Sequence, residues 1–257
     1  TVLWTVTDVN GNTATCNQTI TITDTHLPTI ICPDDINVNV DAGTCNATGV
    51  SLGTPTTSDN CGVATIVNNH PSTTYPVGTT TVVWTVTDVN GNSSTCNQVV
   101  TVTDNIAPSI TCPTNITVNN TTGLCGAIVS PLGTPTTSDN CGVQSVTNNH
   151  IFSTYPLGTT TVIWTVTDVN GNTSTCNQTV TVVDAQNPTI TCPSNISVYA
   201  AIGSCSAEVS TLGTPTTSDN CGVASVVNNH SSTSYPVGTT TVVWTVTDVN
   251  GNTATCN

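Results

Sequence analysis

Ten of the fourteen carboxylates in this chain fall at three recurring positions: Asp8, Asp88, Asp168 and Asp248; Asp24, Asp104 and Asp184; Asp59, Asp139 and Asp219. The chain contains no lysine or arginine, so no such side chain can pair with them. Two kinds of chemistry remain. If the Asp59-Asn60 loop and the Asp88–Asn92 turn share one pole with Asp24, then Asp24, Asp59, Asn60, Asp88, Asn90 and Asn92 form an oxygen-only set. Such a set suits calcium, which takes about six to eight oxygens at about 2.3 to 2.6 Å. The same spacing groups Asp104, Asp139, Asn140, Asp168, Asn170 and Asn172, and again Asp184, Asp219, Asn220, Asp248, Asn250 and Asn252. The alternative is structural, with these aspartates accepting backbone N–H bonds in Asx turns. Calcium is the only cofactor this reading admits.

Other reactive types offer less. His70, His150 and His230 each follow two asparagines, with no second histidine or cysteine at ligand spacing, and read as turn or surface residues. The serines lie in no nucleophile elbow and beside no carboxylate-positioned histidine. No catalytic residue is expected, and the chain is read as a non-enzyme. Without cations it cannot bind nucleic acid through phosphate, and no run approaches the roughly 18 apolar residues of a membrane span.

The recurrence of these residues follows a strict eighty-residue period, marked by WTVTDVNGN at Trp4, Trp84, Trp164 and Trp244. The phase places the tail of one repeat at 1–24, complete repeats at 25–104 and 105–184, and a repeat lacking its last strand at 185–257. Four cysteines per repeat account for twelve of the thirteen, and Cys16 is left to the upstream tail. This cysteine density, without metal-type pairs, points to an oxidising, extracellular compartment.

Within a repeat the hydrophobic pattern has period two, with no amphipathic helical stretch. Val82, Trp84 and Val86 share one face, and Cys96, Gln98, Val100 and Val102 share a parity on the return strand. Between them Asn90-Gly91 reads as a two-residue hairpin turn with positive φ at both positions. Shorter strands are expected near Ala47–Leu52 and Val63–Val67. Some seven strands per repeat, with a turn every eight to twelve residues, predict an all-β chain of tandem immunoglobulin-like or fibronectin III-like sandwiches. Each repeat should add roughly 35 to 40 Å of length. A core this small buries only about 60% of the unfolded surface, so disulfides are expected. Four cysteines allow three pairings. The shared core-facing parity of Cys32 and Cys96 favours joining them, leaving Cys45 with Cys61. The later repeats follow as Cys112 with Cys176, Cys125 with Cys141, Cys192 with Cys256 and Cys205 with Cys221.

These residues resemble the HYR (hyalin repeat) domain family. Its elements are PTIICP at 28–33, GTC at 43–45, DNC at 59–61, PVGTTTV at 76–82 and DVNGNSSTC at 88–96. The resemblance implies an immunoglobulin-like fold, an extracellular adhesive role and no enzymatic activity. Family members without the middle cysteines keep the outer pair, as in the pairing above. Tandem threonine-rich copies are similar to the giant surface adhesins of gliding Bacteroidota, which implies a cell-surface filament or stalk. The expected partners are neighbouring repeats, laterally associated chains and an external surface or glycan, with no nucleic acid and no membrane insertion. Two rivals stand beside this: a lectin-like module binding glycans through loops such as Asn68–Gly78, and a passive spacer for an adhesive tip elsewhere. Sequons at Asn17, Asn46, Asn92, Asn115 and Asn195 permit glycosylation. Without lysine, Lys-Asn isopeptide links cannot form.

Overall fold

Alternating β-branched residues form strands throughout the computed structural model, which describes all 257 residues and contains no helix. No helix is therefore long and apolar enough to cross a membrane. The chain divides into two units: Thr1–Ile106 with Asp139–Cys141, and Ala107–Ser138 with Gly142–Asn257.

In the first unit, Gly78–Asp88 and Ser93–Thr103 form the central antiparallel hairpin, with Cys96 opposite Trp84. Val63–Asn68 flanks one side, and Ile36–Asn39 runs parallel to Val100–Thr103 on the other. Two short ladders, Thr29–Ile31 with Thr56–Ser58 and Asn46–Ala47 with Tyr75–Pro76, form the opposing layer. Val82, Trp84, Val100 and Val102 from the large sheet meet Ala47 and Tyr75 from the short strands. This is an immunoglobulin-like sandwich with one core. The expected parity holds, since Val82 and Val86 are fully buried and Trp84 is 7% exposed. An exposed hairpin, Val2–Thr7 with Thr13–Gln18, precedes the sandwich.

Gln98 shares this core parity and is fully buried. It accepts the Trp84 indole N–H at 3.1 Å and donates to the carbonyls of Asp34 at 2.7 Å and Leu52 at 3.0 Å. A buried polar side chain is tolerated when its bonds are made, and here it ties the hairpin to two loops. Gln178 repeats the arrangement with Trp164, Thr114 and Leu132.

The second unit holds the same sandwich again, with Ile116–Asn119, Thr173–Val183, Gly158–Asp168 and Val143–Asn148 in one sheet. It also holds a third copy of the repeat, whose sheet has three strands: Val223–Asn228, Trp244–Asp248 and Thr253–Cys256.

Two local expectations are corrected. Strand structure near Ala47 is confined to Asn46–Ala47 and does not reach Leu52. The Asn90-Gly91 turn is not a two-residue turn with two positive φ angles: Gly91 has φ 95° and no non-glycine residue has positive φ. The loop instead closes from the Asp88 N–H to the Asn92 carbonyl at 3.0 Å, because the Asp88 carboxylate organises a longer turn.

Candidate cross-link and cation site

The hairpin aspartates are the most fully engaged of the expected ligands. Asp88 Oδ1 accepts the N–H groups of Asn90 and Asn92, both at 2.8 Å, and Oδ2 accepts the Asn92 side-chain amide at 2.7 Å. Burial pushes this carboxyl up, but the bonds from Asn92, Asn90 and Gly91 outweigh it and hold the group below its ordinary value. Asp248 is bonded likewise by Asn250 and Asn252, and Asp168 by Asn170 and Asn172. Burial opposes and hydrogen bonding prevails at both, so each lies below the usual carboxylate range. These positions are turn organisers. The amide of Asn92 also reaches the Asp24 carbonyl at 3.3 Å, and that of Asn252 reaches the Asp184 carbonyl at 3.4 Å.

The Asp-Asn-Cys loop is built differently. Asp219 Oδ2 accepts the N–H groups of Cys221 at 2.7 Å and Gly222 at 2.9 Å, while Gly222 takes φ 114°, a left-handed value suited to glycine. Asp219 Oδ1 is buried with no hydrogen-bond partner. Asp184, itself 7% exposed, uses Oδ1 to accept from Asn120 at 2.6 Å and from the Gln186 N–H at 3.2 Å. Its Oδ2 is likewise buried and unpartnered. One ligand atom each from Asp184, Asp219 and Cys221 lies within 4.8 Å of the others. In the first unit, Asp24, Asp59 and Cys61 make the same grouping. There Asp59 Oδ2 accepts from Cys61 at 2.7 Å and Gly62 at 3.0 Å. The His26 N–H, then the Cys61 thiol, hold Asp24 below its ordinary value, and the hydrogen bond to Asp24 pushes Cys61 up, so it stays a thiol near neutral pH. Asp104 and Asp139 also belong to the first unit, where Asp104 accepts from the Ile106 N–H at 3.1 Å and Asp139 from the Cys141 N–H at 2.8 Å.

Cysteine connectivity departs from expectation at the middle pair. Cys32–Cys96, Cys112–Cys176 and Cys192–Cys256 are bonded, each separated by 64 residues. Cys45 does not join Cys61, nor Cys125 Cys141, nor Cys205 Cys221. The bonds are Cys45–Cys141 and Cys125–Cys221, separated by 96 residues with Cα atoms 4.7 Å apart. Cys16, Cys61 and Cys205 are free and exposed.

The reason is position along the sandwich. Cys61 lies beside Asp24, at the start of its repeat. Cys45 lies at the other end, where the Asn140 amide donates to the Thr44 carbonyl at 2.9 Å and to Asp104 Oδ1 at 3.3 Å. Parity reports the face of a strand but says nothing of the pole.

The asparagine before the bridging cysteine makes a backbone contact of which the sequence gives no sign. Asn140 Nδ2 faces the Thr44 carbonyl, and Asn220 Nδ2 donates to the Leu124 carbonyl at 3.0 Å. Each therefore clamps the backbone just before the opposite half-cystine. The histidines also have defined places: His70, His150 and His230 stack on Tyr75, Tyr155 and Tyr235 with ring centroids 4.2 to 4.3 Å apart.

Parts of the chain are similar to known proteins. Hyalin of Strongylocentrotus purpuratus is 38% identical over 105 residues, covering 39% of this chain and 9% of hyalin. Hyalin of Lytechinus variegatus is 34% identical over 131 residues, covering 47% of this chain and 24% of that protein. The chain thus spans under a quarter of these relatives. Among solved structures, protocadherin gamma B7 extracellular cadherin domains 1–4 align over 87% of this chain and 74% of their own, at 14% identity and TM-score 0.33. Drosophila N-cadherin EC1-4 aligns over 89% and 73%, at 10% identity and TM-score 0.34, and neither superposition carries weight at that score. The profile of the HYR domain matches residues 23–102, 103–182 and 183–257, nearly the whole length, and the chain belongs to the HYR domain family.

Proposed function

We propose that the chain is a segment of an extracellular, structural and adhesive tandem-repeat protein, displayed at a cell surface as a long filament or stalk and used in surface adhesion or gliding motility. The observation that carries this reading is the covalent linkage of successive repeats by Cys45–Cys141 and Cys125–Cys221. Disulfides of this kind persist outside the reducing cytosol, and repeats bonded to their neighbours suit a load-bearing array. The repeats are 25–104, 105–184 and 185–257, following the tail 1–24. The test is to display arrays of increasing repeat number on cells and measure retention on a surface under flow. Retention that rises with repeat number supports the proposal. Retention unchanged by deleting repeats favours a passive spacer, and selective binding of the chain on a glycan array favours a lectin-like module through Asn68–Gly78 and its equivalents.

The reading includes a cation at the acidic pairs. Asp184 and Asp219 each keep a buried oxygen without a hydrogen-bond partner, and no lysine or arginine in the chain can serve them. A hard divalent cation such as calcium fits two carboxylate oxygens and completes its shell with water. Asp24 and Asp59 are the corresponding pair in the first unit. Asp88 and Asp248, already engaged by hydrogen bonds, lie outside this reduced ligand set. Calcium should raise the thermal midpoint of the chain, EDTA should reverse the shift, and Asp59→Asn together with Asp219→Asn should abolish it. An unchanged midpoint together with no heat in a calcium titration would remove the cation from the proposal.

A further inference from the structure

The two disulfide series have complementary spacing. The first, Cys32–Cys96, Cys112–Cys176 and Cys192–Cys256, spans 64 residues per bond, sixteen fewer than the eighty-residue period. From Cys96 the chain runs forward sixteen residues to Cys112 and enters the next bond. The second, Cys45–Cys141 and Cys125–Cys221, spans 96 residues, sixteen more than the period. From Cys141 the chain runs backward sixteen residues to Cys125 and enters the next bond. Each free cysteine also lies sixteen residues from a bonded member of its own series: Cys16 from Cys32, Cys61 from Cys45 and Cys205 from Cys221.

We infer that the array contains two independent covalent load paths, either of which alone leaves only sixteen residues under tension between successive bonds. A pull on the ends of a polypeptide with one disulfide per repeat extends only the residues outside the closed loops. In the forward path these are the linkers from Cys96 to Cys112 and from Cys176 to Cys192. In the backward path the tension crosses from Cys45 to Cys141, returns along Cys141–Cys125, and crosses again to Cys221. The two paths share no cysteine, so losing one series leaves the other continuous. A pairing within repeats, Cys45 with Cys61, would close only sixteen-residue loops and give no second path. The inference rests on connectivity alone and stands whether or not the chain adheres to a surface or binds a cation.

The test is single-molecule stretching of the 257-residue chain held at its two ends, with Cys16, Cys61 and Cys205 changed to serine so that copies do not join. At about 3.5 Å per extended residue, the oxidised chain should reach only about 240 Å, against about 900 Å after reduction. Changing Cys45 and Cys125, with their partners Cys141 and Cys221, to serine should leave the oxidised value at about 240 Å. Changing the six cysteines of the forward series to serine should give about 350 Å, the backward path alone. A value near 850 Å, expected if Cys125 closes on Cys141 within its repeat, or near 900 Å, would overturn the inference. A second measurement guards against misfolding of that variant: disulfide mapping of the unaltered, unreduced chain, with all thirteen cysteines present, after cleavage at aspartate. Peptides joining Cys45 to Cys141 and Cys125 to Cys221 support two paths, and a peptide joining Cys45 to Cys61 refutes them.

Discussion

Ile116–Asn119 and its counterpart Ile196–Tyr199, one period later in the same unit, carry similar residues and different structures. The first is a strand parallel to Val180–Val183, with Ile116 and Val118 packed against the core. The second forms no strand, and Ile196 and Val198 are 49% and 53% exposed. The difference lies in the partner. Thr173–Val183 runs eleven residues and carries Val180 and Val182 into the core, whereas Thr253–Cys256 stops one residue before Asn257. Trp164 is buried at 8% exposure, while Trp244 is only partly buried. The turn survives in both repeats: Asp168 and Asp248 accept the same N–H groups at 2.8 Å. The hairpin is thus a local structure, while the edge strand is conditional on residues sixty-four positions away.

Experiments on this pair follow in order of effect. Extending the 257-residue piece with the residues of Gln178–Asp184 should pair Ile196–Tyr199 and bury two valines, stabilising the third repeat by about 4 kcal/mol. Hydrogen exchange at Ile196–Tyr199 should then slow to match Ile116–Asn119; unchanged exchange would show that pairing with this segment is not what orders the edge strand. In the opposite direction, Gln178→Ala leaves the Trp164 indole and the Thr114 and Leu132 carbonyls unpaired. It should cost about 3 kcal/mol in denaturant unfolding and expose Ile116–Asn119. Asn220→Ala removes the bond to the Leu124 carbonyl and should cost about 1 kcal/mol, with Cys125–Cys221 reduced faster by a small thiol. The smallest effect is from acid. Asp168 and Asp248 are held below the ordinary value of 3.8, so their contribution is complete above that pH and is lost as pH falls through the lower folded value. Thermal midpoints should fall below pH 4, and Asp168→Asn with Asp248→Asn should flatten that dependence; an unaltered acid slope in this variant would assign it to other carboxylates.

Much of the sandwich was legible because alternation is written residue by residue. The parity of Val82, Trp84 and Val86 placed them in the core, and that of Gln98 was the available sign of its buried role. The turn was placed correctly and its form misjudged, since Asn-Gly statistics overlook a preceding aspartate able to accept two N–H groups. The acidic site was only partly readable. Spacing groups aspartates, but an Asx-turn carboxylate such as Asp88 and one with a spare buried oxygen such as Asp219 look alike in sequence. Their difference lies in which donors reach them.

The order of amino acids alone determined the eighty-residue repeat, the all-β class, the core-facing parity and the absence of any lysine or arginine to balance the carboxylates, because each is a property of composition or of the strand itself. Tertiary structure decided that Cys45 meets Cys141 and not Cys61, and that Asn220 clamps a backbone carbonyl. A period of two records which face a residue takes. The end of the sandwich it occupies, and the segment that arrives there, depend on how distant parts of the chain pack.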